Sequence, residues 1–206
     1  MSPRAIVGAL RLVLAAVTVV AIVATALDVL SRGPINVFNF FGYFTIQSNI
    51  LLVVTLTLAG LHGLRSADQP RWLEVARGLT TTYIVIVGIV YATLLAPLGA
   101  AGGVQVPWAN FILHVVTPVV GALDWLLIGD RKRLPLSRLW LVLLYPATWL
   151  AVVLVRGATD GWVPYPFLNP SNGYGSVAIV CVGITAAILL VGWLVFLASR
   201  YRPVKV

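Results

Sequence analysis

The chain has 206 residues, 60% of them hydrophobic and only 10% charged, with a mean hydropathy of +1.00. A soluble domain of this size cannot hide that much apolar surface, whereas a bilayer removes the need to hide it. A single cysteine, Cys181, excludes an internal disulfide and any cysteine-based metal site.

Apolar runs of helix-spanning length fall near residues 6–30, 40–61, 79–96, 108–128, 139–155 and 176–198. They predict an all-α polytopic membrane protein, six transmembrane helices in one bundle. The first run is too long for a signal-peptide core, and no small-residue cleavage pattern closes it, so it counts as a span. Asp28 stands near its far end, followed by the Ser31–Pro34 turn. The second opens on Phe40-Phe41-Gly42-Tyr43-Phe44-Thr45-Ile46-Gln47-Ser48-Asn49. Residues 62–78 read as a polar connection, with a turn and an interfacial helix start that puts Trp72 at headgroup level. Arg77 falls just inside the third span, where a long side chain can snorkel to the headgroups. Tyr91 lies near that span's outer end. The fourth span carries His114 and the fifth, the shortest at about 17 residues, is at the lower limit for crossing. Pro118 and Pro146 predict kinks, each freeing a carbonyl.

The basic residues orient the bundle. Arg4, Arg11, Arg65, Arg71, Arg77, Arg131, Lys132, Arg133, Arg138, Arg200, Arg202 and Lys205 make twelve of the fourteen, all at one end; the opposite connections hold only Arg32 and Arg156. The positive-inside rule puts both termini in the cytoplasm. The formal charge of +8 is thus an orientation and anionic-lipid signal, and nucleic acid is not an expected partner.

Residues 156–175, on the outer side, differ from the other connections. Gly161-Trp162-Val163-Pro164-Tyr165-Pro166-Phe167-Leu168-Asn169-Pro170 is too aromatic for a solvated linker and too proline-rich for a helix. Trp162, Tyr165 and Phe167 make either an interfacial belt or a lid folded over the bundle mouth. The hydrogen-bonding capacity of Tyr165, Asn169, Asn172 and Tyr174 favours the lid.

Thr45, Ser48 and Asn49 stand at i, i+3 and i+4 and share one helix face. Polar groups at that depth are costly against lipid, so the face looks inward. Thr45 falls roughly 7 Å below the start of its span and His114 roughly 10 Å below the start of its own. Their depths match, as a nucleophile and its base require. A threonine hydroxyl is a weak nucleophile until a base takes its proton, and histidine suits that task near neutral pH. Asp28 is a candidate to orient the imidazole, and Asn49, Ser48 and Tyr91 are candidate oxyanion donors. The bland alternatives are a Thr45 hydroxyl bonded to its own i−4 carbonyl, a solvated Asp28 at a helix end, and an Asn49 that joins helices. His114, Thr117, Gly121 and Asp124 form one stripe facing the bundle interior, and Asp124 reads as structural, paired with a loop arginine.

Other chemistries lack their residues. His62 and His114 lie at opposite ends and cannot share a metal, so neither metal nor cofactor is expected. No glycine-rich phosphate loop precedes a helix, and the acids sit near span ends rather than at mid-membrane.

Tyr43-Phe44-Thr45, His114 with Pro118, and Trp162 through Leu168 together resemble the androgen-induced protein family over nearly the whole chain. The run from Phe41 to Asn49 is closest to its bacterial six-helix branch. Animal members are threonine hydrolases that cleave fatty acid esters of hydroxy fatty acids. The resemblance implies Thr45 as nucleophile and His114 as base, with a lipid ester as substrate and membrane lipids as surroundings. Phe111 and Leu113 depart from the animal pattern, which has a second histidine just before the catalytic one. A non-catalytic lipid- or sterol-binding protein, or a small transporter, would use the same cavity. A composition rich in Ala, Val and Arg with few Lys fits a GC-rich bacterial genome and hence a bacterial cytoplasmic membrane.

Overall fold

The computed structural model describes residues 2–102 and 106–204. Lys205, counted above with the basic tail, lies outside them. The architecture is all-helical, with six helical segments long and apolar enough to cross a membrane: Pro3–Arg32, Phe44–Leu64, Arg71–Gly99, Pro107–Leu127, Leu136–Thr159 and Tyr174–Ala198.

Helix α1 (Pro3–Arg32) starts where the Ser2 hydroxyl accepts from the Ala5 N–H at 3.2 Å, with Pro3 at the first helical position. After the short α2 (Val37–Phe40), α3 (Phe44–Leu64) packs along α1 at glycine contacts. A Cβ on Gly8 would come within 2.6 Å of the Gly60 carbonyl oxygen, so the two backbones touch directly. Such close approach is the main source of helix association where lipid leaves no hydrophobic driving force.

Helix α4 (Arg71–Val90) begins eight residues before the predicted start of the third span. Charges at its start lower the hydropathy without breaking the helix, because each finds a partner. Arg71 donates to Glu74 at 2.9 Å, and the other Glu74 oxygen accepts the Lys132 N–H at 2.9 Å. Arg77 therefore sits two turns inside, buried at 3% exposure, and does not snorkel.

The fourth span joins α5 (Pro107–Phe111), a π-helical turn (Ile112–Val116) and α6 (Thr117–Leu127). Pro118 has no N–H for the His114 carbonyl, and the ladder widens there, with the Thr117 N–H reaching Ile112. The third span has a matching π turn at Tyr91–Leu95. In the fifth, Pro146 is the third residue of α7 (Leu144–Thr159), and Leu136–Leu143 before it winds as 3-10 helix. Helix α8 (Tyr174–Ala198) closes the bundle against α4 and the 136–143 segment, with slight packing on α7.

A ring of four charges closes the basic end. Asp124 accepts from Arg11 Nε at 2.8 Å and Arg77 Nη2 at 2.7 Å, while Asp130 accepts from Arg77 Nη1 at 3.0 Å and also pairs with Arg11 Nη1. Gln69 adds bonds to Asp130 and Arg77 at 2.7 and 2.8 Å. Asp124 thus pairs with two helix arginines in place of the loop arginine expected above. Two positive and two negative charges cancel, which lets both guanidiniums leave water. Loop residue Arg131 instead lies over the Trp125 ring at 4.4 Å and donates to the Ala198 carbonyl at 3.0 Å.

Candidate active site

At the opposite end, the start of α3 supplies the central hydroxyl. Thr45 is the second residue of the helix, so its i−4 carbonyl, Phe41, lies before the helix and accepts the Gln47 side-chain amide at 2.7 Å. Ten of the thirteen threonines bond their own i−4 carbonyls: Thr18, Thr25, Thr55, Thr81, Thr82, Thr93, Thr117, Thr148, Thr159 and Thr185. Thr45 Oγ1 instead faces His114 Nε2 and the Tyr165 hydroxyl, each at 3.4 Å.

His114 sits in the π turn of the fourth span, buried at 4% exposure. Its Nδ1 lies 3.1 Å from the Asn110 carbonyl oxygen. A carbonyl only accepts, so Nδ1 carries the hydrogen, and in the neutral ring Nε2 offers its lone pair towards Thr45. Tyr91 stacks on the imidazole with centroids 4.4 Å apart, and its hydroxyl accepts from Asn110 Nδ2 at 2.7 Å. Both partners of this stack stand in π turns. Glycine at position 88 allows the approach of the two spans, since a Cβ there would lie 2.8 Å from Pro118 Cβ.

Tyr165 comes from the loop between the fifth and sixth spans. Its hydroxyl accepts the Thr45 N–H at 3.2 Å, so a group 120 residues away caps an orphan donor in the first turn of α3. Burial pushes the phenol up to about 12, which keeps it protonated and able to donate. Phe167 stacks on its ring at 5.2 Å, Tyr43 meets it edge-on at 5.7 Å, and Trp162 meets Tyr43 edge-on at 5.9 Å. The loop thus folds inward at Tyr165. Asn169 does not join it: exposed, its side chain accepts the Ser171 N–H at 2.9 Å and caps a 3-10 turn.

The remaining candidates are placed differently from expectation. Asp28 pairs with Arg32, one turn away on its own helix and partly exposed, and the Asn110 carbonyl makes the bond to the imidazole. Asn49 has both amide hydrogens committed, to the Thr45 carbonyl at 2.9 Å and the Leu113 carbonyl at 3.2 Å, and its oxygen accepts from Thr117 at 2.8 Å. It ties α3 to the fourth span and has no hydrogen left for an oxyanion. Ser48 is fully buried one turn below Thr45; its hydroxyl and that of Tyr145 lie near each other without closing a normal hydrogen bond. Tyr91 contributes its ring face more than its hydroxyl.

A cavity of about 210 Å³ begins at Thr45 and Tyr165 and runs between α4, α7 and α8. His114, within reach of Thr45, does not line it. No family model matches the chain, and neither does any curated protein or solved structure. Among the described residues no group of three or more His, Cys, Asp or Glu could hold a metal ion. The chemistry on hand is a hydroxyl within reach of a base, an apolar cavity that the hydroxyl lines, and one uncommitted donor, the Tyr165 hydroxyl. The helix N-terminus adds a positive end dipole, which favours negative charge developing there.

The proline four residues after His114 was the sequence signal for its widened turn. Nothing in the sequence marks Tyr165 over its aromatic neighbours, because its bond to Thr45 depends on how the loop folds back.

Proposed function

We propose that the protein is a membrane-embedded hydrolase of acyl-lipid esters, with Thr45 as nucleophile and His114 as base. The observation that carries this reading is the Thr45 hydroxyl: it forgoes the local carbonyl that most threonines of this chain take, and meets an imidazole lone pair. The contact is longer than a normal hydrogen bond, as resting catalytic contacts often are before substrate tightens them.

In the reaction, Thr45 Oγ1 bonds to the ester carbonyl carbon while its proton passes to His114 Nε2. The carbonyl becomes an oxyanion, held by the Tyr165 hydroxyl, which accepts from the Thr45 N–H and so keeps its own hydrogen to donate. The bond to the alkoxy oxygen then breaks, and His114 returns the proton to the departing alcohol. Water next attacks the acyl-threonine and gives a proton to His114. Release of the acid restores the Thr45 hydroxyl. Fatty acid esters of hydroxy fatty acids are the substrate class that the family resemblance favours, and a bacterial cytoplasmic membrane the setting that composition favours.

Labelling with a fluorophosphonate tests the reading. The wild type and Ser48→Ala should react, while Thr45→Ala and His114→Ala should not. Undiminished labelling of Thr45→Ala removes the assignment, and stoichiometric lipid binding without product in the wild type replaces it with a binding protein.

A further inference from the structure

The cavity below Thr45 has features that restrict what can fill it and how that molecule arrives. Its polar groups are gathered at one end, where Thr45 and Tyr165 stand; the Thr185 hydroxyl on its wall is already bonded to the Cys181 carbonyl at 2.8 Å. No charged side chain lines it, so neither a carboxylate nor a phosphate would find a counter-charge inside. From Leu95 to Ile86 along the third span it extends about 14 Å. Its deep end is closed by Ile86 and Ile188, buried at 2% and 3% exposure. Just below, α8 and the 3-10 segment meet tightly, since a Cβ on Gly192 would lie 2.9 Å from Val142 Cγ1.

The side of the cavity is different. Helix α8 packs on α4 and on residues 136–143, whereas α7 is not among its main neighbours, and the cavity lies between the two. Ala147 on α7 and Thr185 on α8 both line the cavity and are both exposed. Each lies well inside a membrane-crossing segment, so the opening faces hydrocarbon.

We propose that this cavity is an acyl-chain slot entered sideways from the bilayer between α7 and α8, and that it takes one uncharged alkyl chain of a lipid with the chain end at Ile188 and the linkage at Thr45. The occupant follows from the surroundings: an uncharged, narrow, one-ended slot that opens into lipid admits an alkyl chain and leaves an ionised head outside. Entry along this route needs no opening of the outer loop, so Tyr165 stays on Thr45 while the chain slides in. Only the direction of the chain rests on the reading of Thr45 as nucleophile; the slot and its side entrance do not.

The test uses the full chain in lipid nanodiscs and two alkyl ethers that cannot be hydrolysed. One carries a photoreactive diazirine beside the ether oxygen, the other at the chain end. Mass spectrometry of the irradiated protein should map the first to Tyr165 and Phe167 and the second to Ile188 and Leu143. Ala147→Trp should lower both sets of adducts by about tenfold, the scale of a modest change in binding. Thr185→Phe should do the same from the other side of the entrance, which guards against a variant that fails to fold. Thr45→Ala should leave the adducts in place even though it abolishes fluorophosphonate labelling, so the slot and the hydrolase reading fail separately. Adducts spread evenly over lipid-facing residues such as Val13 and Val20, or unchanged in both entrance variants, overturn the slot. Identical maps from the two probes overturn the stated direction.

Discussion

The two ends of this bundle solve opposite problems with buried polar groups. At the basic end, Arg11, Asp124, Arg77 and Asp130 alternate in a ring in which each carboxylate meets both guanidiniums. At the other end, Thr45, His114 and Tyr165 carry no fixed charge and meet at 3.4 Å. Nearby, the Ser48 and Tyr145 hydroxyls and Asn110 Oδ1 are buried without a partner. The ring neutralises its acids and holds α1, α4, α6 and the loop after α6 together. The neutral cluster keeps capacity in reserve, as a site must if a substrate is to supply the missing partner. Buried polarity alone therefore does not mark a site, and neither does a single unpaired atom, since Arg11 Nη2 in the ring also lacks a partner; the neutral cluster differs in having no opposite charges to pair and three unpaired groups nearby.

Removing His114 gives the sharpest contrast between the ends. His114→Gln should lower ester turnover by about 10²–10⁴-fold, the usual worth of a general base. The melting temperature should change little, because the ring at the far end is intact. Thr45→Ser keeps a hydroxyl at the same place and should retain labelling. Equal loss of labelling in Thr45→Ser and Thr45→Ala would mean that the site needs a methyl group more than a nucleophile.

The reverse pattern belongs to Asp124. Asp124→Ala leaves Arg11 and Arg77 with one acid between them, and breaking a buried pair in this way costs about 3–5 kcal/mol. Denaturation should detect the loss, while fluorophosphonate labelling of the folded fraction should match the wild type. Labelling that falls in proportion to stability in every variant would erase the distinction between the two ends.

Six spans and their order were legible because hydropathy over some twenty residues needs no knowledge of partners. The shared face of Thr45, Ser48 and Asn49 was legible for a similar reason: helical spacing is local, and all three side chains are buried. The charge ring was not, because its members come from α1, α4, α6 and the loop after α6. Arg77 shows the cost: from sequence, an arginine near a span end is a snorkelling residue until its two acids are in view. Asp28 fails in the opposite sense. It is an acid at a suitable depth, and only coordinates reveal that its partner is its own neighbour, Arg32.

Acid should probe the ring more gently than mutation. Asp130 lies in the loop beyond α6, outside the spans. Burial alone would raise its pKa, but Arg77 and Arg11 outweigh burial and hold the carboxyl well below the usual range. The unfolded value is about 3.9, so the stabilisation from Asp130 is complete above that pH and is lost as pH falls through the lower, folded value. Wild-type stability should decline below about pH 4, where unfolded Asp begins to bind protons. Asp130→Asn should start lower at neutral pH and decline less steeply. Parallel acid profiles for the two proteins would assign the loss to other carboxylates.

The smallest expected effect is at Asp28. Its side chain is 30% exposed and that of Arg32 is 46% exposed, so the pair is worth little, within about 0–1 kcal/mol. The imidazole already donates from Nδ1 to the Asn110 carbonyl, which fixes the tautomer without a carboxylate. Asp28→Asn should therefore leave both turnover and stability near wild type. A carboxylate oriented on His114 would instead stabilise the imidazolium that forms during attack, and its loss would be severe, about 10⁴-fold where such a triad has been taken apart. Turnover of Asp28→Asn thus separates a two-residue site, in which a backbone carbonyl holds the base, from a three-residue one that the static geometry does not contain.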